Sequence, residues 1–168
     1  SSFGLNAHTI VSNTNTSAST EEGEGFGPAL LDFLTELADR PVLPHVLSLS
    51  LGSLSAYSCN LLCEEAVKNG DVTKEECEAY VAEQRQVCMI PSTSLASRVN
   101  IALQALGVRG VSVFGSSGDG GSHFSFQPFG GLTGGKVAAA LNKVSCTNQM
   151  PVFPTTSPYI ISIGATQW

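Results

Sequence analysis

The sequence predicts an α/β fold, a mostly parallel sheet with helices on both faces. Three observations predict it. Short β-branched runs at 46–51, 111–114 and 159–163 alternate with amphipathic helical stretches at 28–39 and 94–106. That order implies right-handed crossovers between parallel strands. The chain has 168 residues, is 42% hydrophobic and only 13% charged, where soluble domains run near a quarter charged, so it buries a core and is not a disordered segment.

Taken in order, residues 8–12 form a candidate strand, followed by a polar stretch over 13–27. Leu30, Leu31, Phe33, Leu34 and Leu37 lie on one face of a helix over 28–39. Arg40-Pro41 ends it, because the residue before proline is pushed out of the helical region. Residues 46–51 read as a buried strand closed by Gly52. Residues 53–92 change character, with four cysteines and seven acids, and read as a cysteine-stapled surface insertion. A helix is expected there over 74–87, with Thr73 and Glu76 spaced as a capping box. Leu95, Val99, Ala102, Leu103 and Leu106 mark a helix over 94–106 with Gly107 as its terminal glycine. The strand at 111–114 runs into a glycine-rich turn over 115–122. Residues 123–150 read as loop with a helical patch at 136–143. An irregular turn at 151–158 precedes a third central strand at 159–163.

Cys59, Cys63, Cys77 and Cys88 fall within thirty residues. They lack the paired Cys-x2-Cys spacing of common zinc modules and read as two local disulfides in an oxidising compartment, with connectivity left open. Cys146 is the odd one, either free and buried or paired outside this chain. Asn15-Thr16-Ser17 fits the N-glycosylation pattern, in keeping with a secretory, lysosomal or acidic vacuolar route. No apolar run approaches the roughly 20 residues of a membrane span, and no signal peptide is visible. Both ends look cut, so a piece of a longer precursor is expected.

The net charge is −6, which argues against nucleic acid as a partner. Its distribution is uneven. Residues 1–83 hold three bases and thirteen acids, while residues 84–168 hold five bases and one acid, Asp119. That lone acid sits in Ser116-Ser117-Gly118-Asp119-Gly120, after a strand, where parallel sheets gather ligands and catalytic groups. The bland alternative is an Asp filling a turn.

Two other chemistries fit the residues less well. Gly130-Gly131-Leu132-Thr133-Gly134-Gly135-Lys136-Val137 nearly matches a phosphate loop, but Val137 has no hydroxyl for Mg²⁺ and no core strand precedes it, so a flexible glycine loop is the reading. His8, His45 and His123 lack metal-ligand spacing with each other, with Asp119 or with the cysteines, and no metal role is assigned.

A third set carries a resemblance. Ser50-Leu51-Gly52 at one strand end, Ser117-Gly118-Asp119 at the next, and Ile163-Gly164-Ala165-Thr166 after the third look like the subtilisin fold. There an Asn donates to the oxyanion where Asp119 stands here. With the run from Phe153 to Trp168, the chain resembles the sedolisin family of serine-carboxyl peptidases over roughly 6–52 and 94–168. Leu43-Pro44-His45-Val46 is most like its lysosomal tripeptidyl-peptidase branch. Residues 53–92 match nothing in that family.

The resemblance implies a partial subtilisin-like catalytic domain and an acid-acting endo- or tripeptidyl-peptidase. It makes Asp119 a protonated oxyanion donor. Residues 50–52 would pair with an extended peptide or protein substrate, and Ser116, Ser117 and Gly118 would line the first pocket. The family's Glu-x3-Asp pair and its Ser-Gly-Thr-Ser nucleophile motif do not occur in these residues. Further chains of the same precursor are therefore the expected partners, and this chain alone is expected to be inactive. No cofactor is expected in this chain, and the family's calcium loop is expected beyond Trp168. The alternative is a non-catalytic relative that keeps the scaffold as a binding or structural module.

Overall fold

The computed structural model of the chain describes residues 26–83, 93–128 and 131–164. The expected strand at 8–12, His8, the Asn15 glycosylation site, Cys88, helix residues 84–87 and Ala165-Thr166 lie outside the described residues.

The described elements run α1 (Phe26–Asp39), β1 (Val46–Leu49), α2 (Ala56–Lys68), α3 (Lys74–Glu83), α4 (Thr93–Val108), β2 (Ser112–Ser116), α5 (Gly131–Thr147) and β3 (Ile161–Ile163). The strands form one parallel sheet in the order β1-β2-β3. Leu47 lies opposite Val113, and Ser116 opposite Ile163. The α/β class and the parallel sheet expected from the strand–helix alternation are therefore present.

Two cores hold the molecule. In the first, strand alternation turns Leu47, Leu49 and Val113 toward α1 and α4. Leu30, Leu34 and Leu37 of α1 meet Val99, Leu103 and Leu106 of α4 there, and Leu34, Val99, Leu103 and Leu106 are fully enclosed. Each such aliphatic side chain contributes about 1.5–3 kcal/mol by burial. Arg109 locks the pair, its guanidinium donating to the carbonyls of Ala38 and Arg40 where α1 ends. A cation at the carboxyl end of a helix also meets its dipole favourably. The other sheet face carries Val46, Ser48, Ser112, Ser116, Ile161 and Ile163, all exposed, around a half-buried Phe114. Helices thus cover one face here.

The second core corrects the reading of 53–92 and 123–150. Residues 56–68 form a helix that the sequence reading left out, and α5 spans 17 residues where mostly loop was expected. Val137, Ala138, Leu141 and Val144 recur at helical spacing on one side of α5 and bury against Cys59, Leu62, Ala66, Cys77 and Tyr80 of α2 and α3. Packing of that face outweighs the poor helix propensity of the glycines in the first turns. Residues 54–80 therefore build a core with α5 and are not a surface appendage to the first.

Three further expectations change. The strand expected at 46–51 stops at Leu49, and only Leu49 of its residues is buried. Among the described residues the third strand lies at the edge of the sheet, exposed at every residue, and is not central. The terminal glycine of α4 is Gly110 and not Gly107. Gly110 has φ 85°, with its N–H bonded to Gly107 O and the Val111 N–H to Leu106 O, a Schellman closure that needs the left-handed region. The capping box stands as expected: the Glu76 N–H donates to Thr73 Oγ1 (3.2 Å) and the Thr73 N–H to Glu76 Oε2 (2.9 Å).

Candidate functional site

The carboxyl ends of β1, β2 and β3 come together. After β1, the chain passes through Ser50, Leu51 and Gly52 to Ser53. The Ser53 backbone exchanges two 2.9 Å hydrogen bonds with Phe153 as an isolated antiparallel bridge. Gly52 lies so close to this strap that a Cβ there would stand 2.8 Å from Val152 Cγ2 and 3.1 Å from Phe153 O. After β2, the Ser117 N–H donates to Ile163 O at 2.9 Å. A Cβ on Gly164 would meet Ser117 Oγ at 3.6 Å. Residues 50–53, 116–118, 152–153 and 164 thus lie together at the carboxyl ends of the strands, the edge of an open parallel sheet at which ligands gather.

Asp119 follows directly in the turn at 119–122. Its neighbours fix its place. Gly118 has φ 95°, and a Cβ on Gly120 would fall 2.3 Å from His123 O, so both flanking positions require glycine. Asp119 is exposed, and no hydrogen bond or ion pair among the described residues engages its carboxyl. The carboxyl therefore stands in solvent, three residues beyond the end of β2. Ser116 and Gly118 are exposed and Ser117 is half-buried. Ser50 is exposed while Leu51 packs against the first core. The Ser53 backbone is already engaged by Phe153.

The segment leaving this turn is held by residues the sequence reading did not single out. The Asn142 side chain grips Phe126 from both sides, accepting from its N–H (2.6 Å) and donating to its carbonyl (2.9 Å). Ser145 Oγ donates to Phe124 O (3.0 Å), and the Tyr80 hydroxyl donates to Gln127 O. Burial pushes the Tyr80 phenol above its ordinary range, which keeps that donor protonated. These partners lie far apart in sequence, so no local spacing announces them.

The phosphate-loop reading of 130–137 closes. Residues from Gly131 belong to α5, and Lys136 Nζ lies 3.3 Å from Glu76 Oε2. That ammonium and the Thr73 N–H hold the Glu76 carboxyl below its usual range, the backbone bond being the larger cause. Among the described residues, no group of three or more His, Cys, Asp or Glu side chains is placed to hold a metal ion. No described helix is long and apolar enough to cross a membrane.

Of the cysteines, Cys63 and Cys77 are bridged and join α2 to α3. Cys59 is disulfide-bonded as well, with its partner outside the described residues. Cys146 is free and exposed, so its buried alternative falls. Val144 and Ser145 take the inward positions of that helical turn, leaving Cys146 outside.

A scan against protein-family models, a search of curated proteins and a search of solved structures each returned no match to this chain. Function is carried by the residues and their placement alone.

Proposed function

We propose that this chain is one part of an acid-acting serine-carboxyl peptidase with a subtilisin-like catalytic domain. It supplies the oxyanion carboxyl, Asp119, and one side of the substrate cleft. The observation that supports this most is the meeting of three parallel strand ends, with Asp119 exposed in the turn that follows β2. The Ser nucleophile and the Glu/Asp base pair belong to companion chains of the same precursor, which also complete the sheet and cover its open face.

The chemistry follows from proton inventory. As an amide carbonyl is attacked, negative charge grows on its oxygen, and a donor aimed at that oxygen lowers the barrier. A carboxylate has no proton to give, whereas a neutral carboxylic acid donates one hydrogen bond. An oxyanion site built on Asp119 therefore works only with that carboxyl protonated, which ties activity to acid solution. The free backbone at 50–52 pairs with an extended peptide without reading its side chains, and 116–118 lines the pocket beside it.

The test is hydrolysis of a peptide substrate by the assembled protein between about pH 3 and 6, the range in which a carboxyl gains its proton. Asp119→Asn supplies an amide N–H donor in place of the carboxyl. Asp119→Ala removes the donor and is expected to lower kcat by about 10²–10³-fold. With Asn, the loss of rate toward neutral pH that depends on this proton should be relieved. An assembly that cleaves nothing, or one indifferent to Asp119→Ala, overturns the proposal in favour of a binding or structural module.

A further inference from the structure

We infer that Asn142, a side chain of the second core, is a positioning residue for the Asp119 carboxyl. It holds the downstream end of the turn from which that carboxyl meets the oxyanion. The inference rests on the peptidase reading of Asp119 and adds to it the element that sets the carboxyl's place.

The turn does not set that place by itself. Gly118, Gly120 and Gly121 surround Asp119, and Gly118 and Gly121 have φ of 95° and 73°. Glycine opens more backbone conformations than any other residue, so local preference leaves the path of the turn undecided. The Asp119 side chain adds no anchor, being exposed and without a hydrogen bond or ion pair among the described residues. The ties at the two ends of the turn therefore decide. The upstream end is tied to the sheet, where the Ser117 N–H donates to Ile163 O at 2.9 Å.

The downstream end is tied to α5. The Phe124 N–H donates to Met150 O (2.8 Å), just past that helix, and Phe124 O accepts from Ser145 Oγ (3.0 Å). Two residues on, Asn142 closes on Phe126, accepting from its N–H at 2.6 Å and donating to its carbonyl at 2.9 Å. An amide side chain suits this place because it carries an acceptor and a donor at once. It gives Phe126 what a neighbouring strand would give. The Phe126 ring is buried in the second core, edge-on to Phe124 with centroids 4.9 Å apart, and the Tyr80 hydroxyl holds Gln127 O. Only 118–123 lies between the two ties, and Gly120 runs so near His123 O that no Cβ fits there. α5 packs with α2 and α3 and contributes nothing to the first core. The second core is thus a mount for one end of the Asp119 turn, with Asn142 as the fastening. A reacting group displaced by about 1 Å loses about a hundredfold in rate, so a loosened fastening is read in kcat.

The test is a double-substitution cycle on the assembled protein hydrolysing a peptide in acid solution. Asn142→Ala removes both bonds to Phe126 and leaves the buried Val137, Leu141 and Val144 of α5 untouched. It is expected to lower kcat by about tenfold or more, with KM within about threefold. In an Asp119→Ala background the same substitution is expected to lower kcat by no more than about twofold further, because the carboxyl it positions is gone. An equal loss in both backgrounds marks a general structural role and overturns the inference, as does an unchanged kcat for Asn142→Ala. Ser145→Ala removes one bond of the same clamp and keeps the backbone bond from Met150 N–H to Ser145 O. It carries the cycle if Asn142→Ala does not assemble, with an expected loss of about threefold that again vanishes in the Asp119→Ala background. Failure of the peptidase reading looks different: no hydrolysis, or indifference to Asp119→Ala itself, overturns that reading and this inference with it.

Discussion

Gln149 holds a left-handed backbone, φ 47°, at the position after α5. There Met150 N–H bonds to Ser145 O and Gln149 N–H to Cys146 O. α2 and α4 close in the same way on Gly70 and Gly110, but α5 closes on a residue with a Cβ. Gln149→Gly is expected to stabilise the protein by about 0.5–1 kcal/mol, read as a higher denaturation midpoint. Glu76 gives a pH-dependent counterpart. Its carboxyl binds protons less readily folded than unfolded, so its contribution is complete above the ordinary Glu range and is lost as pH falls through the lowered folded value. Glu76→Gln should flatten the acid side of a stability profile taken from pH 7 to about pH 3, and an unchanged profile would count against that role. This pair was legible because Thr73 and Glu76 are three residues apart. Asn142, Ser145 and Arg109 were not, since their partners come from other elements and leave no periodic mark.

At the scale of elements, α2 and α3 owe their pairing to a bridge and to one shared face. Cys63 and Cys77 close a loop with a sequence separation of 14. Replacing both with Ala is expected to cost about 3 kcal/mol in denaturant unfolding, from the freer unfolded chain. If the loss is confined to the second core, hydrogen exchange will rise in α2, α3 and α5 before it rises in α4. The sequence showed α1 and α4 plainly, because their apolar residues recur over three turns or more. It hid α5, whose opening Gly-Leu-Thr-Gly-Gly reads as loop until Val137, Leu141 and Val144 are seen against a partner. It also over-read the strands: 46–51 and 159–163 carry strand-forming residues beyond the ladder, and only pairing with β2 decides how many are used.

At the scale of the molecule, the two cores meet at a narrow seam where Gly52 and Ser53 run along Val152 and Phe153. Gly52→Ala forces a methyl group against Val152 and is expected to cost about 1–3 kcal/mol. Protection of the Ser53 and Phe153 amides from exchange should fall with it. A variant with full stability and unchanged protection would show that the strap yields without loss. The candidate site was legible in one respect: Asp119 is a lone acid after a strand. Its surroundings were not, because residues 52, 117, 152 and 164 come together only once the parallel order β1-β2-β3 is set.

That order also sets the sequence of assembly. Between β1 and β2 the chain makes an excursion through α2, α3 and α4, and between β2 and β3 another through α5. Both parallel ladders therefore wait on closure of long loops, while the turns of α2 and α3 are local and the disulfide shortens their search. Helical content should be gained before the strand amides are protected. The turn that carries Asp119, held between the ends of the strands and the 152–153 strap, is then expected late on the way to the native state and among the first features lost when the seam opens.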